Sequence, residues 1–145
     1  MAEREEPFEY ATWSARWKGG MQVDLTARGH HIRVDEPPEF GGTDTGPMPT
    51  EMLTAALASC MCLATAWAAR KRRVELPDLE VRVLPVREPD QPRYHRYEIT
   101  VLTAADPEAM EKVLDLAKRW CWVTNTLHNA PELVYRLSED RPFAA

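Results

Sequence analysis

Cysteine is scarce in this chain of 145 residues, which contains three, at positions 60, 62 and 121. Small secreted domains that depend on a disulfide framework carry more cysteines, in a more regular arrangement. Residues 1–6 also do not have the pattern of a signal peptide. We therefore expect a cytoplasmic protein, in which each thiol is either an inert core residue or takes part in chemistry.

Positive charge is also in deficit, because 18 Lys and Arg residues face 23 Asp and Glu residues, giving a net charge of −5. A general nucleic-acid binder needs a basic surface to neutralise phosphates. The tightest basic cluster, residues 70–73, ends a predicted helix, where cations complement the helix dipole. We expect no nucleic-acid partner.

One uncharged run, residues 52–69, is long enough to qualify as a membrane span. It is composed mainly of Ala, Thr, Ser and Cys, which drive insertion weakly but suit a helix that packs closely inside protein. We therefore expect no membrane partner. With 44% hydrophobic and 28% charged residues the chain is typical of a folded soluble protein, and we predict one domain spanning residues 1–145.

Hydrophobic periodicity predicts an α+β protein. In the first half it indicates an antiparallel meander, an irregular Pro- and Gly-rich segment at 36–49, and a central buried helix at 50–73 that follows Pro49. In the second half, Asp106 is predicted to cap an amphipathic helix whose inward face includes Trp120 and Cys121. The predicted strands are residues 8–17, 21–27, 30–35, 79–86, 94–103 and 133–137, and a short helical turn is predicted at 124–128.

Two motifs resemble those of a known protein family. Residues 35–37 (Asp-Glu-Pro), 41–53 and 55–60, the last ending at Cys60, resemble the core signature of the OsmC/Ohr family. Residues 121–127, which begin with Cys121, resemble the second-cysteine motif of that family. The resemblance extends over nearly the whole chain and is closer to the YhfA-type branch of OsmC-like proteins than to the Ohr branch.

The resemblance implies a fold, an assembly and an activity. The fold is OsmC-like, and the assembly is an intertwined homodimer whose chains share N-terminal strands and whose active sites lie at the interface. The activity is the reduction of hydroperoxides, especially organic ones, by two cysteines without metal, haem or flavin. Dithiols such as lipoyl groups are the reductants in the Ohr branch. By this resemblance Cys60 attacks the peroxide and Cys121 resolves the oxidised product.

The chemistry explains why two thiols and an activating group are required. A thiolate that attacks a peroxide becomes a sulfenic acid, which is exposed to over-oxidation unless a second thiol condenses with it. A free thiol with a pKa of about 8.5 is mostly protonated at neutral pH. Because Cys60 lies in the middle of the predicted helix, we expect no assistance from a helix N-terminus and look for an activating side chain.

The usual activating positions hold other residues here. The Ohr branch has an Arg after a Gly-Gly pair and a Glu after the helix-opening proline, positions that Met21 and Thr50 occupy in this chain. Glu51 follows one residue later, but on one regular helix it would lie about 180° around and roughly 13 Å along from Cys60. We therefore expect Glu51 either to act across the dimer interface or after a bend in the helix, or to complement the helix dipole as a first-turn carboxylate.

Arg16, before the Gly-Gly pair, is the predicted substitute for the missing arginine, although a strand arginine is often simply solvated. Arg28 and Arg33 are weaker candidates. Cys62 is predicted to be a core residue, since positions i and i+2 point about 200° apart on a helix. The same spacing disfavours a metal site.

Histidines and tryptophans complete the set of candidate residues. His30 and His31 face opposite sides of a strand, and His128 is either near the second cysteine or a surface or capping residue. Some of the five tryptophans are expected to line an apolar pocket suited to an alkyl peroxide.

Two other functions stay open. One is a non-catalytic or weakly active dimeric protein of the stress response that binds a small molecule. The other is cysteine-based acyl transfer, which needs a histidine base that the central helix and its flanks lack.

Overall fold

The computed structural model describes residues 9–139. They form two compact units, one that ends at Ala56 and one that begins at Leu57. The predicted α+β class with antiparallel strands is confirmed, with five strands and three α-helices in the described residues. The prediction of one domain over residues 1–145 stays a prediction.

The first unit contains the predicted meander. Strands β1 (Ser14–Gly19), β2 (Gln22–Ala27) and β3 (His30–Val34) form an antiparallel sheet in the order β1-β2-β3. Gly19 and Gly20 have φ of 107° and 54° at the β1–β2 turn, a conformation that glycine adopts without strain. β1 begins later than predicted, and Phe8 of the predicted strand lies outside the described residues.

The segment after β3 is tied to the buried carboxylate of Asp35. Its Oδ1 accepts a hydrogen bond from the Glu36 amide at 2.8 Å, and its Oδ2 accepts from the amides of Thr43 and Thr45 at 3.2 and 3.1 Å. The hydroxyls of Thr43 and Thr45 also donate to Oδ2, at 2.6 and 2.8 Å, and Gln22 donates to both hydroxyl oxygens. A segment predicted to be irregular is therefore held in one conformation.

Regular structure also occurs in this segment, contrary to prediction. Residues Pro38–Phe40 form one turn of 3₁₀ helix, because a proline suits the first position and Gly41, at φ 84°, ends it. Gly42 allows close packing here, since a Cβ at that position would come within 1.7 Å of the Glu36 carbonyl oxygen.

Helix α1 (Pro49–Arg72) begins at the predicted proline and runs from the first unit into the second. Its buried residues recur on one face: Leu57, Met61, Ala64, Thr65, Ala68 and Ala69. Leu63, on another face, is 72% exposed, so burial in the single chain is confined to part of the helix. By length and composition α1 could span a membrane, a criterion that core helices of soluble proteins also meet.

The second unit packs α1 against α2. Strands β4 (Glu80–Arg87) and β5 (Tyr94–Leu102) form an antiparallel pair, followed by α2 (Pro107–Trp120) and α3 (Trp122–His128). As predicted, the Asp106 carboxylate caps α2 by accepting a hydrogen bond from the Ala109 amide at 2.8 Å. The buried core consists of Met61, Ala64, Ala68, Ala69, Met110, Val113, Ala117 and Cys121.

Two predictions for the second unit need correction. Trp120 was expected on the inward face of α2, but it is 58% exposed, since its ring contacts Trp67, which lies at the edge of the core and is itself only partly buried. The predicted strand at 133–137 is not formed, and Leu137 is 99% exposed. A strand requires a neighbouring edge to satisfy its backbone groups, and none of the described strands pairs with these residues.

Candidate functional site

Cys121 lies at the junction of two helices. Its amide donates to the Ala117 carbonyl at 2.9 Å as the C-cap of α2, and its carbonyl accepts from the Asn125 amide at 3.0 Å as the N-cap of α3. Its backbone is extended, with φ −75° and ψ 105°, so the chain changes direction at this residue. Cys121 is 0% exposed and is fixed inside the core by both helices.

Cys60 faces this junction from α1. Its thiol lies beside the Cys121 thiol, and the backbone amides of Val123 and Trp122 are close enough to its sulfur to lower the pKa of Cys60. Both cysteines are free thiols, and Cys60 is half-buried. The structure therefore brings together the two cysteines that the sequence singled out.

The two amides correct an expectation of the sequence analysis. Cys60 was expected to receive no assistance from a helix N-terminus, because it lies in the middle of its own helix. The donors instead belong to the first turn of another helix, α3, which begins directly after Cys121. Amides in a first turn have no partner within their helix and are available to a neighbouring anion.

Opposing influences act on the acidity of Cys60. Burial is the largest, and it raises the pKa of the thiol above its usual value. The amides of Val123 and Trp122 lower that pKa, whereas the adjacent Cys121 thiol raises it further. The balance favours the neutral thiol in this single chain, so an additional activating group would increase the thiolate fraction.

Thr124 is a further residue of the site that the sequence did not identify. Its hydroxyl donates a hydrogen bond to the Cys121 sulfur at 2.9 Å. Thr124 lies three residues after Cys121, so the first turn of α3 carries its side chain back to the N-cap residue. The sequence signal that could have identified Thr124 is a hydroxyl residue three positions after a cysteine that caps a helix.

A pocket of about 450 Å³ opens beside the Cys60 side chain. It is lined by Cys60, Leu63, Ala64, Trp67, Trp120 and Trp122. The Trp67 and Trp120 rings lie 5.6 Å apart and are tilted by 55°, a favourable aromatic arrangement. As expected from the sequence, tryptophans form an apolar pocket, and it is next to a cysteine.

The other predicted catalytic residues, Arg16 and Glu51, lie in the first unit. Glu51 is in the first turn of α1, where its Oε2 accepts a hydrogen bond from the Met48 amide at 2.8 Å. This contact satisfies an otherwise unpaired donor at the helix start. Arg16 lies on β1, is exposed, and stands opposite Asp24 in the β1–β2 register. Catalytic roles for Arg16 and Glu51 stay predictions.

The remaining candidates are placed as follows. Arg33 donates to the Asp24 carboxylate at 2.8 Å, and this hydrogen bond lowers the pKa of Asp24. Cys62 is half-buried on α1. His128 ends α3 and lines a separate pocket of about 430 Å³ together with Thr124. Among residues 9–139, His, Cys, Asp and Glu side chains form no group of three or more that could hold a metal ion.

Comparison with solved structures shows a shared fold. An OsmC-like protein from Mycoplasma pneumoniae is 16% identical, with a TM-score of 0.73 over 84% of this chain and 89% of its own. An organic hydroperoxide resistance protein OsmC from Legionella pneumophila is 17% identical, with a TM-score of 0.64 over 84% and 91%. The organic hydroperoxide resistance protein OhrB of Bacillus subtilis is 18% identical, with a TM-score of 0.59 over 84% and 93%.

Sequence comparison identifies the family. No curated protein matches the chain at a significant level. A family model described as OsmC-like protein matches residues 42–136, which include both Cys60 and Cys121. The resemblance to the YhfA-type branch stays a prediction. Since the match spans well over half of the sequence and the fold agrees, this chain belongs to the OsmC-like protein family.

Proposed function

We propose that this protein is a thiol peroxidase in which Cys60 reduces a hydroperoxide and Cys121 resolves the product. The observation that carries this proposal is the contact between the two thiols, beside two amide donors and at the edge of a tryptophan-lined pocket. A half-buried sulfur with a buried partner thiol is the arrangement that a sulfenic acid needs to become a disulfide. Family membership and the hydroperoxide resistance proteins of the same fold support a redox role.

The proposed reaction begins with the Cys60 thiolate attacking the outer oxygen of the peroxide. An S–O bond forms and the O–O bond breaks, and the leaving alkoxide takes up a proton to become an alcohol. The resulting sulfenic acid is next attacked by the Cys121 sulfur, which forms the disulfide and releases water. The amides of Val123 and Trp122 stabilise negative charge on the Cys60 sulfur before it attacks.

The pocket favours organic hydroperoxides as substrates. Its walls are aromatic and aliphatic, so an alkyl chain can be buried there while the peroxide group contacts Cys60. We propose a homodimer as the working form, because Leu63 and Trp122 are exposed apolar residues that a partner chain can cover. The proposed location is the cytoplasm. A small dithiol, of which a lipoyl group is one example, is the proposed reductant.

The reduced protein is expected to lose two thiols per chain when it is mixed with cumene hydroperoxide, and to react more slowly with hydrogen peroxide. Stopped-flow measurement of Trp fluorescence followed by thiol counting checks this. The Cys121→Ser variant is expected to lose one thiol and to accumulate a sulfenic acid that dimedone traps at Cys60. Normal multiple turnover in that variant would remove Cys121 from the cycle.

One observation favours a second function. Burial is the largest influence on the Cys60 pKa, and in the described residues none of the main influences is a cationic side chain. A Cys60 that stays protonated would leave a dimeric small-molecule-binding protein with the same pocket and little activity. Thiols that remain intact after long exposure to both peroxides would identify this alternative.

Arg16→Ala is expected to raise the Cys60 pKa if its guanidinium reaches the thiolate in the proposed dimer, because the substitution removes a cation that favours the charged form. The measurement is the rate of iodoacetamide alkylation of Cys60 as a function of pH, in a Cys62→Ser background. Lys18→Ala removes one positive charge from the same strand and serves as the control. Equal alkylation profiles for wild type and Arg16→Ala would dismiss Arg16.

A further inference from the structure

The two cysteines of the candidate site differ in exposure. Cys60 lines the tryptophan pocket and is half-buried, whereas Cys121 has no exposed surface. In a disulfide between them, a reductant that enters the pocket therefore meets the Cys60 sulfur first. The direction of attack matters, because thiol–disulfide exchange expels the sulfur that is not attacked.

The buried sulfur has its own hydrogen-bond donor. The Thr124 hydroxyl lies 2.9 Å from the Cys121 sulfur, in the first turn of α3. The same turn directs the amides of Trp122 and Val123 to the Cys60 sulfur, so each sulfur has separate donors. A donor to a thiolate stabilises the charged form and makes that sulfur a better leaving group.

We propose that the reductant attacks the disulfide at Cys60, and that Cys121 leaves as a thiolate held by the Thr124 hydroxyl. This inference rests on the proposed function for its biological setting. Cys60 is the more exposed of the two cysteines, and the Thr124 hydroxyl contacts the Cys121 sulfur. Thr124 is thereby a catalytic residue, because its hydroxyl contacts the sulfur that leaves.

The chemical steps balance with a small dithiol as the reductant. One thiolate of the dithiol attacks the Cys60 sulfur, a new S–S bond forms, and the Cys60–Cys121 bond breaks with its electron pair on Cys121. The second sulfur of the reductant then attacks the first, which is bonded to Cys60 in the mixed disulfide; the bond between the two reductant sulfurs forms, and the bond to Cys60 breaks and releases the Cys60 thiolate. The dithiol becomes a cyclic disulfide, and its two protons pass to the two cysteines.

The first test locates the mixed disulfide. The Cys60–Cys121 disulfide is prepared with diamide rather than peroxide, in a Cys62→Ser background, and is treated briefly with the monothiol β-mercaptoethanol. After N-ethylmaleimide quenching, peptide mass spectrometry is expected to find the β-mercaptoethanol adduct on Cys60 and the maleimide on Cys121. An adduct found mainly on Cys121 would overturn the proposal.

The second test measures the contribution of Thr124. Reduction of the diamide-oxidised protein by dithiothreitol is expected to be about tenfold slower in Thr124→Val, because the leaving thiolate loses a charge-assisted hydrogen bond. Thr124→Ser keeps the hydroxyl and is expected to restore the rate. Thr126→Val is the matched control, since the Thr126 hydroxyl donates to the Trp122 carbonyl in the same helix. A wild-type rate in Thr124→Val, or a loss of rate that Thr124→Ser does not restore, would contradict this role.

The outcomes separate this inference from the peroxidase proposal. A protein that resists peroxide but shows the expected adduct and Thr124 effect after diamide keeps the inference and loses the proposed function. A protein that peroxide oxidises, but whose adduct forms on Cys121, keeps the function and loses the inference. Failure of both diamide and peroxide to join Cys60 and Cys121 would overturn both.

Discussion

Replacing Cys60 by Ser is expected to slow the reduction of cumene hydroperoxide by at least roughly a thousandfold, because a serine hydroxyl is not ionised near neutral pH and is a poor nucleophile toward peroxide oxygen. The substitution changes one atom, and the amides of Val123 and Trp122 keep a polar acceptor. The measurement is peroxide consumption by the purified protein with dithiothreitol in excess.

Cys62→Ser is the matched control for this experiment. Cys62 is on the same helix, is also half-buried, and is two residues from Cys60. A helical step of two residues turns it about 200° away, so its loss is expected to leave the peroxide rate within about twofold of wild type. Comparable losses in both variants would indicate a structural effect of serine in α1 and not the loss of a nucleophile.

The helices and the capping of α2 could be predicted because their signals are local. Asp106 followed by Pro107 marks the start of α2, and the absence of Gly and Pro after Pro49 allows α1. The strand predicted at 133–137 failed because pairing depends on a distant edge that local alternation does not reveal. The 3₁₀ turn at Pro38–Phe40 was missed because its stabilising contacts are specific to one loop.

Part of the candidate site could also be predicted, because the two cysteine motifs are local sequence signals. The motifs identified Cys60 and Cys121, and the structure brings their thiols into contact. The amide donors were missed because they come from the backbone, which has no residue-type signature. Thr124 was missed because its importance depends on Cys121 capping α3, a fact that follows from helix boundaries.

Asp35→Asn is expected to lower the melting temperature by roughly 5–10 °C, because an amide group would face the amide and hydroxyl donors that now surround the carboxylate. The donors are the amides of Glu36, Thr43 and Thr45 and the two threonine hydroxyls. Differential scanning calorimetry measures the change. Asp44→Asn is the control, since Asp44 is exposed in the same loop and its φ of 54° is one that asparagine tolerates.

The same carboxylate predicts a pH dependence of stability. Hydrogen bonds hold the pKa of Asp35 well below its usual value of 3.8, and the bond from the Thr43 hydroxyl has the largest effect. A group whose pKa is lower in the folded state stabilises the fold above its unfolded pKa, and this stabilisation is lost as pH falls toward the folded pKa. The free energy of unfolding of wild type is therefore expected to decrease below about pH 4, and the decrease to be smaller in Asp35→Asn, as measured by urea titrations. Parallel pH profiles for the two proteins would show that Asp35 is not the titrating group. Because this carboxylate anchors the loop that leads into Pro49, such a loss would also loosen the start of the helix that carries Cys60.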